Sequence, residues 1–175
     1  MPRAFPFRAT LGSLLVGLAL FGAGCAHYRL GTGSHLAFTT LYVAPVINRA
    51  MVPQAEAVIA TSLREALLRD GRVTLVDSPA AADATLRVTL TSYQREMTAA
   101  NPADTGLARK FALHLQATCS LIDNRTQRPF FTDRRLTATR DMFTDSGQLQ
   151  AEYQTLPLLA QSLADEVVHT VLDVW

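Results

Sequence analysis

Three stretches of this sequence alternate strictly between apolar and polar residues, and nothing else constrains the fold as much. In Ala84 to Tyr93, Leu86, Val88 and Leu90 fall on one side, with Thr85, Arg87, Thr89 and Thr91 on the other. In the second, Phe111, Leu113, Leu115, Ala117, Cys119 and Leu121 alternate with His114, Gln116, Thr118 and Ser120. In Phe130 to Arg140, Leu136 and Ala138 oppose Arg135, Thr137 and Thr139. A period of two is that of a strand, so each segment predicts a strand with one wet face. Three such strands side by side need a cover for their common apolar face.

Two helical segments can supply it. Over Gln54 to Asp70, Ala55, Val58, Ile59, Leu63, Ala66 and Leu67 recur at three- and four-residue spacing. Pro53 suits the first turn and Gly71 a left-handed cap. Over Ser146 to Trp175, Leu156, Leu159, Ala160, Leu163, Val167, Val168, Val171 and Leu172 have the same spacing. Pro157 belongs in the first turn of that helix or kinks it. Before the first helix, Phe38 to Val46 reads as a strand, with Pro45 near its end or on an edge. After it, Val73 to Val76 reads as a short buried strand. Strand, helix and strand in so short a span form a crossover, so those two strands pair in parallel. Thr98 to Gly106 has the composition of a hairpin loop, and Asp123 to Pro129 that of a polar turn. The expected order is β-α-β-β-β-β-α. It is an α+β two-layer sandwich: a mixed sheet of four to five strands with both amphipathic helices on one face. At 175 residues, with 49% apolar and 18% charged composition, residues 38–175 form a single domain.

The first 24 residues stand apart. Arg3 and Arg8 precede an uncharged apolar run, Leu11 to Phe21, and then the small residues Gly22, Ala23 and Gly24. This is the pattern of a signal peptide. Eleven residues rise about 16 Å as a helix, against about 30 Å for a hydrocarbon core. A transmembrane anchor is therefore the weaker reading. Cys25 follows directly and resembles the acylated cysteine of a bacterial lipobox. Gly22 stands where that motif usually has Leu. The alternative is ordinary signal-peptidase cleavage that leaves Cys25 free. Ala26 after the cysteine resembles an outer-membrane address. Residues 25–37 then form a lipidated N-terminus and tether. With Cys25 acylated, Cys119 has no disulfide partner, and on the apolar side of its strand it reads as a small buried hydrophobe.

Chemistry-bearing motifs are few. HExxH, CxxC, GxSxG and phosphate-loop patterns do not occur. His27, His35, His114 and His169 are scattered, which argues against a metal site. A net charge of +1 gives no sign of nucleic-acid binding. No catalytic residue and no cofactor is expected. Arg49 and Arg72 flank loops and read as solvated, as does His114. By parity Arg87, Arg95 and Arg135 share the polar sheet face. With Arg134, Arg140, Arg109 and Lys110 nearby, they form either a basic patch for phosphates or carboxylates, or a solvated face neutralised by Glu96, Asp133 and Asp141.

The order of several short motifs resembles the lipopolysaccharide-assembly lipoprotein family (LptE-like). They are Cys25-Ala26-His27-Tyr28-Arg29-Leu30, Tyr42 to Asn48, Glu56 with Leu63-Arg64-Glu65-Ala66-Leu67, Ala82-Asp83-Ala84-Thr85-Leu86, Thr91-Ser92-Tyr93, and Asp123 before a polar turn. His27 is an insertion relative to the usual start. The resemblance implies a non-enzymatic protein, lipid-anchored on the periplasmic side of the outer membrane. Such a protein plugs an LptD-type β-barrel and helps deliver lipopolysaccharide. It also implies lipopolysaccharide-binding candidates: Arg95, Arg109, Lys110 and Arg140. Two other classes remain in play: an envelope lipoprotein that serves as a binding module of a different periplasmic machine, and an enzyme with an unrecognised site, against which the missing constellations argue.

Overall fold

The computed structural model describes residues 36–101, 104–144 and 147–173, and only the backbone of 99–101 and 104–109. The signal segment, Cys25 and the tether up to residue 35 lie outside the described residues. Strands β1 (Thr40–Val43) and β2 (Ile47–Asn48) lead into helix α1 (Ala55–Asp70). Strand β3 (Thr74–Leu75) and a 3-10 turn (Pro79–Ala81) follow. Then come the long strands β4 (Ala84–Asn101), β5 (Asp104–Asp123) and β6 (Pro129–Phe143), and helix α2 (Gln148–Leu172).

The sheet order is β3-β1-β4-β5-β6, with β2 also on β4. The β1–β3, β1–β4 and β2–β4 pairs are parallel, and the two long pairs are antiparallel. The sheet is therefore mixed, as expected, and has six strands where four to five were expected. The extra strand comes from Pro45. Val43 lies opposite Leu86 and Ile47 opposite Thr89, so the chain gains a residue on β4 as it passes the proline. Pro45 has no N–H to offer the ladder, which breaks there and resumes at β2.

Both helices cover the apolar face. Ile59, Leu63 and Leu67 of α1 and Leu159, Leu163, Val167 and Val171 of α2 are fully buried in one core with Leu86, Leu90, Leu113, Leu115 and Leu121. Cys119 is buried among them, and burial pushes its thiol up to about 11. Pro157 lies ten residues into α2, not in its first turn. It is exposed, so the Tyr153 carbonyl that loses its helical donor lies on the water side of a continuous helix.

Within the loop expected over 98–106, residues 98–101 and 104–106 are instead strand. β4 and β5 stay paired out to Asn101 and Asp104, with register shifts beyond Met97. β6 ends opposite Lys110 at Phe143, so the last part of this hairpin is a two-stranded arm. At the opposite end, Arg72 is not solvated as expected. It donates to the Leu172 carbonyl at 3.0 Å and pairs with Asp70 at 2.8 Å and Asp173 at 2.6 Å. It thereby ties the last turn of α2 to the end of α1. Asp83 similarly accepts from the Thr39 and Thr40 amides at 3.0 and 3.1 Å, which fixes the start of β1.

Candidate functional site

The sheet has two unlike faces, and two irregularities interrupt its alternation. The first is in β4. Leu90 lies opposite Ala117, but Ser92 lies opposite Gln116, so Thr91 is an extra residue. A one-residue insertion reverses every side chain beyond it. Tyr93 therefore pairs with Leu115 and Arg95 with Leu113, both on the helix side. The expected sharing of one polar face by Arg87, Arg95 and Arg135 fails for Arg95. Parity holds only as far as the bulge.

The second irregularity is in β6. Cys119 lies opposite Arg134 and Leu121 opposite Phe131, with the extra residue near Asp133, whose φ is +50°. Pairing is unbroken from Arg134 to Phe143, so Arg134 shares the apolar side with Leu136 and Ala138, and its guanidinium is 4.3 Å from the Phe131 ring centroid. Arg140 lies opposite Leu113 from the other side. Arg95, Leu113 and Arg140 consequently form one row across three strands.

The ends of that row meet α2. Arg95 pairs with Glu152 at 3.1 Å, and the Tyr93 hydroxyl donates to the same carboxylate at 2.6 Å. Half-burial and the neighbouring carboxylate push the Tyr93 phenol well above its usual range. Arg140 donates from Nε to Ser162 Oγ at 2.9 Å. Beside Tyr93 and Glu152, Val52, Pro53, Leu149, Tyr153 and Leu156 line an apolar groove of about 150 Å³. Leu149 and Tyr153 are exposed, and so is Met51, next to Val52. A cationic row thus ends at an apolar groove, an arrangement suited to an amphiphile with an acidic head. Nothing in the spacing of Tyr93 and Glu152 signals their pairing; only the register beyond the bulge brings them together.

Lys110 lies on the other face. It pairs with Asp141 at 2.8 Å and lies 5.7 Å from the Phe143 ring centroid. Arg109 is on β5, and its side chain lies outside the described residues. The structure therefore brings Arg95 and Arg140 together and sets Lys110 across the sheet from them.

That other face carries no helix. Across its three long strands it presents Arg87, Thr89, Gln94, Gln116, Thr118, Ser120, Arg135, Thr137 and Thr139. His114 is on it, as parity requires, but is less solvated than expected. Its Nδ1 is 3.0 Å from Thr139 Oγ1, and its Nε2 is excluded from water 3.5 Å from Glu96. Among the described residues Arg87 and Arg135 make no hydrogen bond or ion pair. Among the described residues no three His, Cys, Asp or Glu side chains converge to hold a metal, and no helix is long and apolar enough to cross a membrane.

A family model, LptE, lipopolysaccharide-assembly, matches residues 38–171. No curated protein is significantly similar in sequence. Among solved structures, a protein from Xanthomonas campestris is 14% identical, covers 79% of this chain and 85% of its own, and superposes with a TM-score of 0.57. A minor lipoprotein from Acinetobacter baumannii is 19% identical over 78% of this chain and 94% of its own, with a TM-score of 0.52. An uncharacterized lipoprotein B from Nitrosomonas europaea is 16% identical over 83% and 87%, with a TM-score of 0.51. At these identities the likeness is one of fold.

Proposed function

Because the chain belongs to the LptE lipopolysaccharide-assembly family, we propose that it is an outer-membrane lipoprotein that seats in an LptD-type β-barrel and assists lipopolysaccharide delivery. Residues 1–24 serve as the export signal, Cys25 carries the lipid, and residues 26–37 tether the domain below the periplasmic leaflet. Several acyl chains make such an anchor stable, since each buried methylene contributes about 0.8 kcal/mol.

The observation that carries the barrel reading is the uncovered sheet face. An antiparallel sheet can leave one face in water, and that face is then open to a polar partner. Here its middle is hydroxyl, amide and guanidinium, from Arg87 and Thr89 through Gln116 and Thr118 to Arg135 and Thr137. The interior of a large β-barrel is polar and wet, so such a surface can lie against it without stripping water from unpaired polar groups. On the opposite side, the Arg95–Leu113–Arg140 row and the apolar groove beside Tyr93 offer a cationic rim and a greasy slot. Phosphates on a lipopolysaccharide head would meet the guanidiniums, for which their planar donors are suited. Lys110 and Arg109 would add charge near the base of the hairpin arm. No step in this role needs a catalytic group or a cofactor.

The test is to extract the full-length chain from its native envelope and identify what travels with it by mass. A stoichiometric large β-barrel protein is the expected result. Recovery alone, or with a soluble complex, would reassign the chain to another envelope machine. Cys25→Ala is expected to move the protein out of the membrane fraction, and an unchanged fraction would sink the anchor.

A further inference from the structure

At the end of the bare sheet face where β4 begins lies a cleft of about 650 Å³. Its floor is Tyr42 on β1, Thr85 and Arg87 on β4 and Ile122 on β5. The register puts these on the same side, since Tyr42 lies opposite Thr85 and Thr85 opposite Ile122. Two turns form the walls, one carrying Pro79 and the other Arg125 and Gln127.

Two acids at this end are engaged by backbone amides. Asp83 faces the Thr39 and Thr40 amides, and Asp123 accepts from the Arg125 and Thr126 amides. Asn124 holds the walls together: it accepts from Thr85 and donates to the Pro79 and Ala82 carbonyls at 2.9 Å. Donors remain unspent. Among the described residues Arg87 has no partner. Arg125 reaches only a 3.4 Å bond to the Ala37 carbonyl and a 3.9 Å approach to Asp123. Among the described residues no carboxylate lines the cleft.

We propose that this cleft is a binding site for an oxyanion, phosphate or carboxylate, carried on a sugar-sized polar ligand. Arg87 and Arg125 take the oxyanion, since a guanidinium presents two parallel N–H donors to such a group. Tyr42 and Ile122 supply an apolar wall for the ligand body, and Gln127 an amide at the rim. The volume falls in the range of small-ligand sites and greatly exceeds what a bare phosphate fills. This site is separate from the Arg95–Arg140 row and stands whether or not the barrel reading does.

The experiment is calorimetric titration of the full-length chain in detergent with glucose 6-phosphate, glucuronate, glucose and inorganic phosphate. Glucose 6-phosphate and glucuronate are expected to bind, and glucose not. Arg87→Gln is expected to weaken both at least tenfold, and Arg125→Gln severalfold. Arg49→Gln, just past β2 beside Leu90 and outside the cleft lining, is expected to change neither. Both cleft arginines are exposed, so their variants fold. Absence of binding by the two anionic sugars, equal binding of glucose, or undiminished binding by Arg87→Gln would each overturn the proposal. Inorganic phosphate binding as tightly as the sugar phosphate would overturn its sugar half.

Discussion

The Tyr93 hydroxyl donates to Glu152 Oε1 at 2.6 Å and joins β4 to the second turn of α2 across 59 residues of chain. Just before it, Thr91 is the extra residue of the β4 bulge. Deleting Thr91 is expected to remove the bulge while Ser92 stays opposite Gln116 and Tyr93 opposite Leu115, so Tyr93 and Arg95 remain on the helix side. The tie to Glu152 then survives, and a thermal melt is expected to shift by only a few degrees. A drop in melting temperature of ten degrees or more would mean that the register beyond position 91 depends on the extra residue itself.

A gentler change separates the two partners of Glu152. Tyr93→Phe keeps the ring and loses a hydrogen bond to a charged acceptor, a loss of about 1.5–3 kcal/mol for a buried case and less here, where Tyr93 is half-buried. Arg95→Gln removes a pair whose arginine is substantially exposed, for which about 0.2–1 kcal/mol is typical. Urea titration is expected to rank Tyr93→Phe as the more destabilising. The reverse order would make the ion pair the main tie.

The strand pattern, both helices and their placement on one face were legible in the sequence. Alternation and three-to-four spacing are local signals, and Leu86, Leu115, Leu63 and Leu163 obey them. What was not legible depends on single insertions. Thr91 and Asp133 are ordinary residues in strand-like runs, and no local preference marks them as the extra one. Their effect appears only when a neighbouring strand fixes the register, so Arg95 was assigned to the wrong face. The hairpin arm was missed for the opposite reason: Asn101 and Gly106 are turn formers, yet both lie within long strands whose pairing outweighs their preference. Arg72 looked like a loop residue because its partners, Asp70 and Asp173, are brought together by the way the two helices end.

Cys119 offers a chemical check on the core. Its thiol is raised by burial, so at pH 8 the thiolate is scarce and access is closed. Ellman's reagent at pH 8 is expected to leave Cys119 of the folded domain unmodified and to label it stoichiometrically in 6 M guanidinium. Prompt labelling of the folded domain would mean that the sheet and helices separate readily at this point.

Arg72 links the helix ends to acid stability. Its guanidinium holds both Asp70 and Asp173 below the usual carboxylate range. A carboxyl depressed on folding contributes stability that is fully present above its unfolded value, near 3.8, and is lost as pH falls through the folded value. Arg72→Met is therefore expected to lower the melting temperature by several degrees at pH 7. Between pH 4 and pH 2 the wild-type curve should fall more steeply than that of the variant. Parallel curves across that window would show that the clamp does not couple to protonation.

The lipopolysaccharide reading makes the last demand. Arg140 lies in the row opposite Leu113, and Lys110 lies across the sheet, held by Asp141. Charge reversal at Arg109, Lys110 and Arg140 together is expected to weaken lipopolysaccharide binding to the purified full-length protein by tenfold or more. If the helix-side row carries the affinity, Arg140→Glu alone will account for most of that loss and Lys110→Glu for little. The row would also make binding fall with added salt, as exposed charge contacts do. A triple variant that binds as the wild type does, in surface plasmon resonance at low salt, would return these residues to the role of solvated charges.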